Sequence, residues 1–296
     1  MRRNKMEQYL NDFIAYMRDI KDASKNTLQA YRNDIKKMVV YFEKQDINSV
    51  TKISETNLNS YILTLEKEGL SPASVTRNIA SIKAFLLYLL KHQVIFSDPS
   101  ERIKPPKLQK KSPQIIEISL VDKLIRQPDV KTKKGIRDRA MLELLYATGV
   151  KVSELIALKM ADLNVSGRYI TCGDRRERII PFGKSAKAAV TEYLAIRTQD
   201  FDKHQSDFLF LNITGEQLSR QGFWKILKAY AKQAGLEEIN PNMIRHSFAA
   251  HMIDNGADLV SVQELLGHSD ISATQLYLSH GFKNNREVYM NTHPRA

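Results

Sequence analysis

The chain has 296 residues and a formal net charge of +12, with a sequence pI of about 9.5. This length allows two domains with separate hydrophobic cores, and the positive charge favours a polyanionic partner. No apolar run approaches the roughly 20 residues of a membrane-spanning helix. The basic start Met1–Lys5 leads into no secretory signal, and the single cysteine, Cys172, excludes an intrachain disulfide. We therefore expect a cytoplasmic protein without a membrane partner.

Residues 1–103 are predicted to form a helical domain. Apolar residues at helical spacing lie in three stretches: Leu28 to Phe42, Leu58 to Leu65, and Val75 to Leu89. The residues expected to begin these helices are Ser24, Thr56 and Ser71. Four basic residues on the polar faces are candidates for phosphate contacts: Lys25, Arg32, Arg77 and Lys83. For any one of them, a solvated surface position is the simpler interpretation.

Residues 104–114 interrupt the helical pattern. Pro105, Pro106 and Pro113 disfavour a helix and favour an extended path. The same segment carries four lysines: Lys104, Lys107, Lys110 and Lys111. Such a basic segment suits a linker that lies along a phosphate backbone. A plain solvated linker would explain the prolines but not the density of lysines.

Residues 115–296 alternate helical patterns with one short hairpin. A helix over Ile136–Ala147 is expected to end at Gly149, because glycine readily takes the left-handed conformation that closes helices. Arg168–Cys172 and Arg178–Phe182 have strand composition and flank a turn that contains glycine. We therefore predict a mainly α fold of the α+β class, with a small antiparallel sheet in the second domain.

Two short helices follow near the C-terminus. Asn240 is expected to cap the first, with Pro241 as its first residue and Gly256 at its end. Asp258 is expected to cap the second, which Gly267 ends. The residue types that point to chemistry lie on these helices and directly after them.

An arginine, a histidine and a tyrosine follow one another in this region: Arg245, His268 and Tyr277. A tyrosine beside two cationic side chains can attack a phosphodiester while the cations hold the phosphate. Each residue alone is unremarkable, since most tyrosines pack and most arginines are solvated. Their order and spacing in a basic chain carry the functional hypothesis.

The sequence around these residues resembles the tyrosine recombinase (integrase) family, most closely its Xer-type members. The matching stretches are Pro241 to Tyr277, the tail His293 to Ala296, Asn26 to Arg32, and Ser81 to Phe85. The resemblance implies a DNA core-binding domain over 1–103, a linker over 104–114 and a catalytic domain over 115–296. It also implies two domains that close around duplex DNA, and several subunits, identical or different, assembled on it.

The reaction implied by the resemblance is a transesterification that needs no cofactor and no metal. Tyr277 matches the nucleophile, which forms a 3′-phosphotyrosyl bond and releases a 5′-hydroxyl. Arg245 matches the second arginine of the phosphate clamp, and His268 matches a histidine that donates to a phosphate oxygen. Arginine suits its position because its planar fork grips two phosphate oxygens at once.

Three positions depart from the family pattern. Lys151 stands where the family has arginine, and it keeps the charge but loses the bidentate fork. Gly173 stands where the family has a lysine, and Asn242 where it has a histidine. Asn242 can hydrogen-bond a phosphate oxygen but cannot exchange a proton. The nearby residues that could replace the missing charge are Arg175 and Arg176.

Two hypotheses follow from the resemblance. The chain is a site-specific recombinase with weakened catalysis, or it is a non-cleaving DNA-binding relative that serves as an accessory or partner subunit. A third hypothesis, a helical transcription regulator, explains the charge but not the order of Arg245, His268 and Tyr277. We also expect the tail from Phe282 to Ala296 to dock on a neighbouring subunit.

Overall fold

The computed structural model describes residues 5–107, 114–173, 177–201, 205–267, 290 and 292–295. The chain divides into two compact units, Met1–Lys110 and Lys111–Ala296. Each unit has its own cluster of buried apolar side chains. In the part of the chain described, no helix combines the length and the apolar character that a membrane span requires.

The described part of the first unit contains four α-helices: α1 (Lys5–Asp19), α2 (Lys25–Glu43), α3 (Glu55–Lys67) and α4 (Pro72–Lys91). Serine side chains cap three of them, with Ser24, Ser54 and Ser71 each accepting a hydrogen bond from a backbone N–H of the first turn. The predicted start at Thr56 was therefore wrong by two residues. Ser54 is the N-cap of α3 because it forms a capping box with the side chain of Asn57.

An aromatic core joins these helices. Phe13 of α1 packs edge-on against Phe85 of α4, with ring centroids 5.5 Å apart, and Phe42 of α2 packs against Tyr61 of α3 at 6.0 Å. All four side chains are almost completely buried. The apolar stripes predicted from the sequence are thus the inner faces of the bundle.

The second unit contains, in its described residues, seven α-helices and three strands. The helices are α5 (Ile118–Ile125), α6 (Lys133–Thr148), α7 (Val152–Ala157), α8 (Lys184–Asp200), α9 (Arg220–Ala234), α10 (Pro241–Asp254) and α11 (Leu259–Leu266). The strands are β1 (Leu163–Asn164), β2 (Tyr169–Cys172) and β3 (Arg178–Pro181). The predicted fold class, mainly helical with a small antiparallel sheet, is confirmed.

The three strands lie in chain order in one antiparallel sheet. The predicted hairpin is β2–β3, and its last pair joins Cys172 to Arg178. Strand β1 was not predicted, because its two residues are too few for an alternating pattern to appear. Arg178 therefore lies at the loop end of the hairpin, where it contacts α7 and α11.

Helix α6 runs through the core and is buried along nearly its whole length. It ends, as predicted, at Gly149, whose φ of 59° is left-handed. A β-carbon at this position would overlap the ring of Phe248 on α10. Glycine therefore allows the end of α6 to approach α10, which carries Arg245.

The described end of the tail packs on its own chain. Met290 packs against the core of the second unit, and the side chains of Thr292 and His293 are buried. The Arg295 guanidinium pairs with Glu143 of α6 and with Asp122 of α5. These residues contact α5, α6 and α10 of the same chain. Residues 282–289, 291 and 296, which the predicted docking on a neighbouring subunit also includes, lie outside the described residues.

Candidate active site

Arg245 is the buried centre of the candidate site. Only 5% of its surface is exposed, and its guanidinium donates to two backbone carbonyls. One is Gly149 O at 2.7 Å, at the end of α6, and the other is Leu266 O at 2.6 Å, at the end of α11. These bonds fix the orientation of the cation before any ligand arrives, which is the condition for strong electrostatic stabilisation.

The start of α10 fixes where Arg245 lies. Asn240 caps the helix as predicted, its side chain accepting from the Met243 N–H at 3.1 Å, and Pro241 is the first helical residue. Asn242 lies in the first turn with an exposed side chain. It precedes Arg245 by three residues, so both project from the same side of the helix.

Lys151 lies close in sequence to a residue that binds Arg245. It caps α7, two residues after Gly149, whose carbonyl Arg245 holds. Its backbone N–H donates to Glu154 Oε2 at 2.8 Å, and its side chain is exposed. The ammonium is thus free to move on its flexible stem, whereas Arg245 is fixed by two bonds.

An ion pair beside Lys151 was not anticipated from the sequence. Arg178 of β3 donates to Glu154 Oε2 at 2.9 Å and to Leu265 O of α11 at 2.9 Å. Burial would raise the pKa of the Glu154 carboxyl, but bonds from Arg178 and the Lys151 amide hold that pKa below its ordinary value. In the sequence, the run from Arg176 to Pro181 indicates a strand, but it does not indicate which residue Arg178 binds.

Gly173 follows β2 with a φ of 130°. A residue with a side chain rarely adopts this conformation, so a lysine placed at 173 would strain the hairpin. Glycine therefore suits this backbone conformation better than lysine would. The preceding Cys172 is buried in β2, and burial raises the pKa of its thiol to about 11, which makes it an unreactive packing residue.

Several predicted site residues lie outside the described residues: His268, Tyr277, Arg175 and Arg176. Helix α11 ends at Gly267, with a left-handed φ of 65° as predicted, and His268 is the next residue in the chain. The arginine contacts at Leu265 and Leu266 therefore hold the end of the helix from which His268 continues.

The predicted phosphate contacts of the first unit are placed unevenly. Arg77 pairs with the buried Asp34 at 2.5 Å, and Ser81 donates to the same carboxylate at 2.7 Å. Arg32 donates to the side chain of Asn11 at 2.9 Å. Arg77, whose side chain is still about half exposed, thus has a structural partner as well as an exposed guanidinium.

The remaining basic candidates are largely surface residues. Lys83 reaches a backbone carbonyl at Glu101, 3.4 Å away, and Lys25 is exposed in the first turn of α2. Lys104 and Lys107 are exposed, whereas Lys110 and Lys111 lie outside the described residues. Among the described residues, no group of three His, Cys, Asp or Glu side chains is arranged to hold a metal ion.

Comparison of the sequence with known protein families identifies the family of this chain. The phage integrase family matches residues 116–284, and the phage integrase N-terminal SAM-like domain matches residues 10–93. The chain therefore belongs to the phage integrase family of tyrosine recombinases. The resemblance predicted from the sequence, to the Xer type within that family, is confirmed.

Named relatives cover the whole length of the chain. Tyrosine recombinase XerD of Listeria innocua serovar 6a is 42% identical over 298 residues, which cover 98% of this chain and 100% of the relative. Tyrosine recombinase XerD of Oceanobacillus iheyensis is 40% identical over 297 residues, with the same coverage.

Solved structures share the fold. XerH site-specific recombinase bound to palindromic difH substrate matches with a TM-score of 0.72 and 22% identity, covering 90% of this chain and 80% of that one. The XerA recombinase crystal structure matches with a TM-score of 0.52 and 24% identity, covering 98% of this chain and 99% of that one.

Proposed function

We propose that this protein is a Xer-type site-specific recombinase that binds duplex DNA and forms a 3′-phosphotyrosyl bond through Tyr277, with weak cleavage on its own. Residues 1–103 serve as the DNA core-binding domain, 104–114 as the linker and 115–296 as the catalytic domain. The observation that carries this proposal is the preorganised guanidinium of Arg245, held by the carbonyls of Gly149 and Leu266.

The reaction places specific demands on the site. The Tyr277 oxygen attacks phosphorus, the phosphorus–O5′ bond breaks, and the phenol proton must leave while O5′ gains a proton. Arg245, Lys151 and His268 would meet the extra negative charge on the non-bridging oxygens. These charged groups stabilise the phosphate, and the leaving oxygen needs a proton donor in addition.

The weakness of cleavage follows from the three departures. Lys151 offers one flexible ammonium in place of a rigid fork, and its exposed side chain must give up rotamer freedom to bind. Asn242 donates a hydrogen bond without exchanging a proton, and Gly173 has no side chain. A lost proton donor typically lowers a rate by about 10²–10⁴-fold.

The decisive experiment changes the leaving group. A duplex sequence that the protein binds is first selected from a random pool. The protein is then incubated with two nicked duplexes of that sequence. In one, the scissile phosphate carries the ordinary bridging 5′-oxygen, and in the other a bridging 5′-sulfur. A thiolate leaves without being protonated, because its pKa is near 8.5. We expect the covalent adduct to form at least about 10²-fold faster on the sulfur substrate.

Two results would count against this function. Equal rates on oxygen and sulfur would show that proton donation is intact. An adduct that persists in Tyr277→Phe, the matched variant lacking only the attacking oxygen, would remove Tyr277 as nucleophile.

A second candidate function, the non-cleaving partner subunit, gains support from Gly173. Its φ of 130° means that no simple substitution restores the lysine without strain. Binding without any adduct on the sulfur substrate would favour this function. The informative repair is then the pair Lys151→Arg and Asn242→His, which leaves the hairpin unchanged.

Duplex DNA as the partner, and assembly of several subunits on it, also belong to the proposal. The charge of +12 and the exposed Lys104 and Lys107 support it, as do relatives solved on DNA, including XerH on difH substrate and a lambda integrase dimer bound to a COC′ core site. Affinity should fall steeply with salt, and Lys104→Ala with Lys107→Ala should make the log–log slope shallower by about 1–2. A flat salt dependence would contradict this partner.

A further inference from the structure

Arg178 connects three elements of the second unit. It stands on β3, its guanidinium donates to Glu154 Oε2 of α7, and its Nε donates to Leu265 O of α11. The side chains of Arg178 and Glu154 are only 15% and 18% exposed, so water screens this pair weakly. Glu154 Oε2 also accepts the backbone N–H of Lys151.

Two arginines together hold the end of α11. The last four carbonyls of a helix lack partners within it, and the C-terminal end carries partial negative charge. Arg178 takes the carbonyl of Leu265, and Arg245 takes the next one, that of Leu266. The helix end is therefore fixed by two cations on different elements, one in the sheet and one in α10.

The Arg178 guanidinium also lies close to the residue that follows α11. A β-carbon on Gly267, the residue after α11, would come within 3.0 Å of the Arg178 guanidinium carbon. The backbone of Gly267 thus lies directly against Arg178, and the left-handed turn there directs the chain into His268. A shift of Arg178 would move the starting point of that residue.

We propose that Arg178 is a positioning residue of the recombinase site. It sets the distance between the end of α11, from which His268 continues, and the α7 N-terminus that carries Lys151, without itself touching DNA. This role rests on the proposed function. It accounts for the binding of this arginine to a carboxylate and a helix end within the protein.

The test uses Arg178→Lys, because lysine keeps the charge but cannot reach both partners with a rigid fork. The matched control is Arg137→Lys. Arg137 is also a buried arginine that pairs with a carboxylate, Asp138, and donates to a backbone carbonyl, Leu211 O. It lies 12 residues before Gly149 on α6, which is about 18 Å along the helix.

Three quantities are measured on each full-length variant well below its unfolding temperature: DNA affinity, adduct rate on the 5′-sulfur duplex, and amide exchange of the peptide spanning α11 and Gly267. Arg178→Lys should keep DNA affinity within about 3-fold, lower the adduct rate by about 10²-fold and speed exchange at the α11 end. Arg137→Lys should lower the unfolding temperature and leave DNA affinity, adduct rate and exchange at the α11 end unchanged.

The outcomes separate this role from the proposed function. If the natural protein forms no adduct, the proposed cleavage fails, and the exchange comparison alone decides about Arg178. Unchanged exchange at α11 in Arg178→Lys, or equal adduct losses in both variants, would overturn the positioning role. If Arg178→Lys does not fold, Glu154→Gln replaces it, since it removes only the charge that Arg178 pairs with.

Discussion

The two units share local helix caps, but one helix end in the second unit is also held by residues far away in the chain. In the first unit, the side chain of Ser24 accepts from the N–H of Thr27, and that of Ser71 from the N–H of Ser74. In the second unit, Asn240 and Asp258 cap the starts of α10 and α11 in the same way. In the second, Arg178 and Arg245 satisfy the last carbonyls of α11 from 87 and 21 residues away. Because each unit has its own core, we expect the first unit to be independent of the candidate site, which forms only after several elements of the second unit have packed together.

The largest expected effect is on Arg245 itself. Replacing it with methionine leaves the carbonyls of Gly149 and Leu266 without their donor and removes the buried cation. We expect a loss of at least 10³-fold in adduct rate and about 3 kcal/mol of stability. Adduct kinetics and urea unfolding measure the two effects. A variant that unfolds like the natural protein would show that the helix ends do not depend on this arginine.

The approach of α6 to α10 is tested at Gly149. Alanine there meets both a left-handed φ and the Phe248 ring, and we expect a loss of roughly 2–4 kcal/mol in unfolding free energy. Gly256→Ala is the matched control, because Gly256 also has a positive φ but nothing within 4 Å. It should lose only about 1 kcal/mol. Similar losses in both variants would remove the clash with Phe248 as the cause.

The buried tail predicts how stability depends on pH. Burial lowers the pKa of His293 to about 3, from an ordinary 6.5, with the charge of Arg295 and nearby His251 acting the same way. The unfolded chain therefore binds a proton that the folded chain refuses, and stability falls as the pH drops below 6.5 towards 3.

The size of that loss should be about 2 kcal/mol between pH 8 and pH 5 for this group alone. Thermal unfolding followed across this range measures it. His293→Gln, which keeps a donor for the Tyr146 carbonyl, should flatten the dependence. A natural protein whose stability is constant from pH 8 to pH 5 would mean that His293 is not buried in its neutral form.

The smallest effect is expected in the first unit. Ser71→Ala removes one local cap from α4 and should lower the unfolding free energy by about 1 kcal/mol. The adduct rate of bound complex should not change, since no element of the candidate site moves. Ser71→Asp, which preserves the capping acceptor, is the control. A large fall in adduct rate with Ser71→Ala would contradict the independence of the first unit.

Local signals predicted much of the fold. Asn240, Gly149 and Gly267 marked helix ends correctly, because caps and left-handed glycines act on residues next to them. The hairpin was predicted from composition, whereas its register, which pairs Cys172 with Arg178, comes from the structure. Thr56 failed because a stronger cap stands two residues earlier.

The sequence named candidate site residues but indicated none of their contacts. Spacing and resemblance pointed to Arg245, Lys151 and Asn242, yet nothing local indicates that Arg245 reaches Gly149 and Leu266. The Glu154–Arg178 pair joins residues 24 apart, and only the folded sheet brings them together. The strain that a side chain would meet at position 173 depends on the φ of that residue, and φ cannot be read from the residue name.

The docking of residues 292–295 has a practical side. His293 is buried under Tyr146, and the Arg295 guanidinium is enclosed by Glu143 and Asp122. A purification tag or fluorescent protein joined after residue 296 would therefore be attached one residue beyond the packed segment 292–295. It would disturb the contacts of that segment with α5 and α6. The same label attached before α1 would sit on the other unit, so N-terminal labelling is the safer choice for measuring assembly on DNA.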